Sequence, residues 1–164
     1  MFDLTDYQSY QDYFAAIAVA HVDISGFLFG DDGVPNNEIK AWTRGQKKLW
    51  LEPYAPTQVI GPNVDNMIKQ KAGVLMIAGP VGDNKFSTAQ DLFKACEIIV
   101  EQIIAKIDGD YRDGKLLTAF TSYKYGQAEH TFSATKLVGC RFDFTFQDPT
   151  GFVYDENKWA WPDN

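Results

Sequence analysis

The sequence predicts an α+β fold: a mostly antiparallel sheet of four to five strands, one long amphipathic helix packed on it, and a short helix at the N-terminus. Three observations predict it. Two segments, 5–20 and 88–106, carry apolar residues at three- and four-residue steps. The stretch 138–159 alternates more strictly than any other, sending Phe142, Phe144 and Phe146 one way and Arg141, Asp143, Thr145 and Gln147 the other. The order of elements is helix, two or three strands, helix, two strands, without repeats or low-complexity linkers. Residues 1–164 therefore read as one domain, with an extended ribbon at 46–78 and an aromatic C-terminal tail at 150–164.

The first helix runs from Thr5 to about Ala20. Thr5 and Gln8 have the spacing of a capping box, and Asp6 lies in the first turn, where the helix dipole favours a carboxylate. Tyr7, Tyr10, Phe14, Ile17 and Ala18 form its apolar stripe, and the two tyrosines suit a partly wet edge or a contact with another chain. Turn signals dominate 25–37, around a short run Phe27-Leu28-Phe29 that fits a small strand. Residues 46–60 read as extended, with Pro53 and Pro56 restricting the segment to an edge or a bulged ribbon. Gly61-Pro62-Asn63 is a turn, and 66–78 returns as the second arm, ending in the apolar run Val74 to Ala78.

The long helix follows the loop GPVGDNKF. Ser87 and Gln90 make its capping box, and Leu92, Cys96, Ile99, Ile103 and Ile107 form a stripe widened by Phe93, Val100 and Ile104. From Thr88 to Lys106 this is roughly 28 Å of helix, with a face wide enough to lie on a sheet. Gly109 or the Asp113-Gly114 pair ends it. Leu116 to Tyr125 and Thr135 to Gln147 are the last two strands, joined through Gly126 and the polar residues 127–130. The phenylalanine row is expected to lie buried beneath the long helix.

A chain of this length can bury about 70% of its unfolded surface and needs neither metal nor disulfide for a core. Cys96 and Cys140 both fall among apolar residues and read as separate core thiols. A net charge of -7 argues against a nucleic-acid binder and against anionic membranes, since the sole basic cluster is Arg44, Lys47 and Lys48. The acidic, aromatic start is unlike a secretory signal, and the apolar run at 15–22 is too short to span a bilayer. The expectation is a soluble cytoplasmic protein made in a reducing compartment.

No catalytic signature emerges. Gly79 to Lys85 lacks the spacing of a phosphate loop, because two residues separate Gly79 from Gly82 and Phe86 follows Lys85. His21 and Asp23 form an H-x-D pair with Asp31 and Asp32 nearby, but a metal site wants further ligands on a rigid frame, and the only other histidine, His130, lies in a different loop. Neither cysteine has the electropositive setting of a nucleophile, and no serine sits in a G-x-S-x-G turn. The reading is a chain without catalytic, metal or cofactor-binding residues.

Aromatic residues, 15% of the chain, are the strongest signal. They fit a core, a protein–protein interface, or a small-ligand or carbohydrate cleft. Trp42 and Trp50 bracket the basic cluster, Tyr54 lies between two prolines, and Tyr154, Trp159 and Trp161 lie in the tail. These six are the interface candidates, since tryptophan and tyrosine dominate protein contacts.

The order of elements, together with V-G-C-R-F-D-F-T-F-Q-D-P at 138–149 as a last strand running into an aromatic coil, resembles the tail terminator and tail-completion proteins of long-tailed bacteriophages. The resemblance spans about Leu4 to Trp159, and residues 25–45 depart from it. It implies a non-enzymatic structural protein, cytoplasmic during assembly and then part of the virion tail. Such proteins form a homo-oligomeric ring, of hexamer size, that stops tube growth and docks to the head or neck. The implied partners are other copies of the chain, the tail tube and the neck or connector proteins. Two unlike surfaces per subunit would be needed, and the ribbon from Lys47 to Ile77 and the aromatic tail are candidates for them. Acidic charge would suit a lumen through which DNA passes. The competing reading is a small-ligand or protein-binding module whose cleft is lined by Trp42, Trp50 and Tyr54.

Overall fold

The computed structural model describes residues 1–30, 42–43, 45–60, 68–81, 86–132 and 135–148. Within them the chain forms α1 (Tyr7–Ala20), β1 (Phe27–Phe29), β2 (Lys48–Leu51), β3 (Ala55–Ile60), β4 (Ile68–Pro80), α2 (Phe86–Arg112), β5 (Phe120–Phe132) and β6 (Thr135–Asp148). This is the expected α+β class, with six strands in place of four to five because the proline-bearing arm divides into β2 and β3.

The strands lie in the order β1-β2-β4-β6-β5, with β3 also on β4. All pairings are antiparallel except β1 with β2. β2 and β3 share one edge of β4: Leu51 faces Leu75, and Ala55 faces Ala72. Between them the Glu52 N–H still donates to the Val74 carbonyl at 2.9 Å, so the ladder is kinked there and not lost. The turn expected at 61–63 lies outside the described residues.

α1 starts one residue later than the capping box would have it. Asp6 is the N-cap, and its carboxylate accepts from the Ser9 N–H at 2.7 Å. Thr5 instead donates its hydroxyl to Asp3 Oδ1. α2 runs through Gly109 to Arg112 and stops at Gly114, whose φ of 69° is a left-handed conformation suited to glycine. The N–H groups of Lys115 and Leu116 both point back to the Asp110 carbonyl, at 2.8 and 3.1 Å. β5 likewise runs straight through Gly126, so residues 126–130 are strand and not connection. Leu116 falls before that strand, in a parallel bridge with Phe2 that ties the N-terminus to the end of α2.

Both helices cover the same face of the sheet. Leu49, Leu51, Leu75, Ile77, Cys140, Phe142, Phe144 and Phe146 point into this layer, against Cys96, Ile99, Val100, Ile103 and Ile107 of α2 and Tyr10, Phe14 and Ile17 of α1. The phenylalanine row is buried as expected, yet α2 does not cover it alone. The rings of Tyr10 and Phe14 lie 6.4 and 5.6 Å from Phe144, and Tyr10 stacks on Phe146 at 6.2 Å. Phe120 stacks on Phe144 at 4.5 Å. Tyr10 is fully buried, and its hydroxyl donates to the Glu52 carbonyl at 3.0 Å, so it serves the core and no wet edge.

Glycines make this packing possible at two points. Gly73 faces Phe144 across the β4–β6 ladder, and a β-carbon there would collide with the Phe144 ring. Gly139 faces Ala78, and a β-carbon there would sit on the Ile77 carbonyl oxygen. The second face of the sheet has a smaller core of Trp42, Trp50, Met76, Ala78 and Leu137, with Leu28 and Ala128 packed on it. The uninterrupted apolar run Val74–Ala78 has its cause here, since β4 is covered on both faces at that end.

Candidate functional site

The six candidate residues separate into three groups. Trp42 and Trp50 are buried, 5% and 4% exposed, in the small core on the face away from α1 and α2. The Trp50 indole N–H donates to the Gly30 carbonyl at 2.7 Å. The Trp42 N–H has no partner among the described residues, while Lys48 Nζ lies 5.1 Å from its ring centre. Neither side chain offers appreciable area to a neighbour, which goes against their reading as interface candidates. Their burial follows from the apolar end of β4, which needs cover on its second face.

Tyr54 packs on the opposite face. Its ring meets Tyr7, Tyr10 and Phe146 edge-on at 5.4, 5.0 and 5.6 Å, and its hydroxyl donates to the Thr5 carbonyl at 2.8 Å. Lys71 Nζ lies 4.5 Å above that ring and donates to the same carbonyl at 2.9 Å. Trp42 and Trp50 on one side of the sheet and Tyr54 on the other cannot line one cleft. Tyr154, Trp159 and Trp161 lie outside the described residues.

The surface that remains open was not singled out by sequence reasoning. β5 is the last strand of the sheet, thirteen residues long, and among the described residues nothing pairs with its outer edge. Tyr123 and Tyr125 lie on its helix side, 55% and 39% exposed. The Tyr125 hydroxyl donates to Glu101 of α2 at 2.9 Å, which holds that phenol protonated to higher pH than usual. Tyr111 at the end of α2 and Leu117 just after it are 46% and 55% exposed. Together they flank a trough made of two adjoining hollows of about 380 Å³ each, which share Tyr111 and Ala119. Period-two alternation placed Tyr123 and Tyr125 on a common face, but nothing local in a sequence says that no further layer covers them.

Away from the helices the sheet turns polar beyond the tryptophan core. Arg141 Nε donates to Asp143 at 2.9 Å, and its guanidinium lies 3.7 Å from Glu52. A bulge between Phe120 and Ser122 brings the hydroxyls of Thr121 and Ser122 onto that of Thr145, at 2.9 and 2.7 Å.

Polar groups buried on the helix side are structural. Asp110 is 6% exposed, accepts from the Tyr13 hydroxyl at 3.1 Å and is paired with Lys106, so it joins α1 to α2. Burial, reinforced by that carboxylate, pushes the Tyr13 phenol well up. Both cysteines are free and buried, and burial pushes Cys96 to about 12 and Cys140 to about 11. Neither is a poised nucleophile. Among the described residues no group of three or more His, Cys, Asp or Glu side chains could hold a metal. No helix among them is long and apolar enough to cross a membrane.

A second groove, of about 400 Å³, lies between the end of α1 and the middle of α2. Ile17, Ala20 and Ile103 form its apolar part, and His21, Gln102 and Lys106 its polar part. His21 Nδ1 accepts from the Asp23 N–H at 3.2 Å, so Nε2 carries the proton and donates to Gln102 Oε1 at 2.8 Å. The chain matches none of the family models and none of the curated proteins with which it was compared.

Proposed function

We propose that this chain is a non-enzymatic structural subunit that closes into a ring on the end of a phage or phage-like tail tube, ends the tube's growth and docks it to the head or neck. The observation that carries the reading is that, among the described residues, the sheet ends in two unlike open edges. One is the long, regular β5 with its exposed tyrosines. The other is broken into the three residues of β1 and the bulged, proline-bearing β3. A ring needs two different complementary surfaces on each subunit, related by a rotation that closes. An open edge is a template for pairing with another chain. The net charge of -7 suits a channel that DNA traverses without adhering.

The test is sedimentation velocity and electron microscopy of the purified chain, alone and mixed with a polymerising tail-tube protein. A hexamer-sized ring, or tubes capped at one end, is the expected result. A monomer at every concentration that leaves the tubes uncapped and growing would sink the reading. The second reading, a small-ligand or protein-binding module, has its best location in the groove between α1 and α2, where apolar walls meet an oriented His21–Gln102 pair. Shifts of the His21 ring resonances on adding a ligand library, with no assembly on tubes, would favour it.

A further inference from the structure

We propose that the trough between the end of α2 and the start of β5 is the seat of the chain's own C-terminal segment, residues 149–164. The inference does not depend on the ring reading and concerns the subunit before any partner is met.

The trough concentrates apolar surface. Tyr111, Leu117 and Tyr123 are among the most exposed large apolar side chains of the described residues, and all three line it. Clustered exposed apolar surface of this kind marks a contact site, whereas single exposed apolar residues are ordinary. The end of β6 reaches the trough's mouth. Gln147 lines the trough beside Asp3, Leu117 and Thr121, and residue 149 is two positions further on.

Length and chemistry of the segment both fit. Along α2 the trough extends from Tyr111 back to Glu101, ten residues of helix or about 15 Å. Sixteen residues in extended form reach up to about 50 Å, so the segment spans the trough with length to spare. It carries Phe152, Tyr154, Trp159 and Trp161, whose rings can stack on the tyrosines they would meet, and the apolar Val153. A tethered segment acts at an effective concentration in the millimolar range, which a second copy of the chain in dilute solution does not reach. This is why the occupant is the chain's own segment and not a neighbour's.

The experiment is limited trypsin digestion of the full chain, following release of residues 159–164 by cleavage after Lys158. Leu117→Asp and Tyr123→Ser are compared with the unchanged chain, and thermal midpoints are measured alongside. Both side chains are 55% exposed; Tyr123 also lies 5.8 Å from the buried Phe142 ring, and the thermal midpoint separates loss of that contact from loss of the seat. Cleavage in each variant is expected to be about tenfold faster at an unchanged midpoint, because cleavage tracks the population of the undocked segment. Equal cleavage rates in all three chains would overturn the proposal. So would protection that disappears on dilution, since the seat would then hold another copy's segment. Protection that persists in a strictly monomeric sample supports the proposal even where the ring reading fails. A ring whose segment is cleaved freely overturns the proposal and leaves that reading standing.

Discussion

Gly139 is the most closely packed of the described glycines in the sheet. It lies between β4 and β5, opposite Ala78 and Ala128, and an added methyl would meet the Ile77 carbonyl oxygen and the Ala78 Cα with no flexible side chain to give way. Gly139→Ala is expected to lower the unfolding free energy by about 3 kcal/mol, as overpacking a well-filled interior does. Urea titration reads this directly, and a loss of only a few tenths would contradict the packing described. The thiols make a second prediction at this scale. Cys96 and Cys140 have folded-state values near 12 and 11 against an ordinary 9.0, both because of burial. The folded state therefore holds these protons where the unfolded chain releases them. Their contribution to stability is complete below about pH 9 and is lost as pH rises toward 11 and 12. The urea midpoint should fall above pH 9, and a thiol reagent at pH 8 should label neither cysteine until denaturant is added. Rapid labelling of the native protein would refute the assignment.

The elements end where tertiary contacts decide, and two glycines show it with opposite signs. Gly109 lies inside α2 with nothing within 4 Å of an added β-carbon, so Gly109→Ala should stabilise the protein by about 0.5–1 kcal/mol through helix propensity. Gly114 ends the helix at φ 69°, so Gly114→Ala should cost about 1 kcal/mol. Thermal midpoints moving in opposite directions are the expected outcome. If Gly109→Ala also lowers the midpoint, the helix does not continue through that position. Sequence reasoning left the two glycines as alternative stops, because a glycine is tolerated in a helix that is anchored further on. The anchor is Asp110, held by Tyr13 and Lys106. Gly126 misled in the same way: it reads as a break, yet β6 pairs with β5 on both sides of it, through Tyr125–Phe142 and Gln127–Cys140.

For the whole molecule, the ring reading and the seating of the C-terminal segment make a joint prediction. Removing residues 159–164 should leave a folded monomer, with far-ultraviolet circular dichroism unchanged and a thermal midpoint within a few degrees of the full chain. Assembly on tail tubes should be impaired. A truncated chain that fails to fold would place Trp159 and Trp161 in the core instead. Candidate surface residues were the least legible part of the sequence. Trp42 and Trp50 read as interface candidates because tryptophan is enriched in protein contacts, a property that a core position shares in one dimension. The second face of β4 needed them, since Met76 and Ala78 point away from the helices. Tyr123 and Tyr125 are candidate contact surface because β5 is the outermost described strand and α2 leaves them half-covered, neither of which is local in the sequence.

The sequence by itself determined the fold class, the position of both helices, the strand β6 and the burial of Phe142, Phe144 and Phe146. Each rests on a local periodicity, and the burial of one face is a property that a period of 2 or 3.6 encodes directly. Tertiary structure alone decided which layer covers which face. It put α1 over Phe144 and Phe146, a tryptophan core behind β4, and β5 at the rim. Those outcomes depend on strand order, and strand order is set by contacts between residues far apart in the chain, of which a single sequence carries no local record.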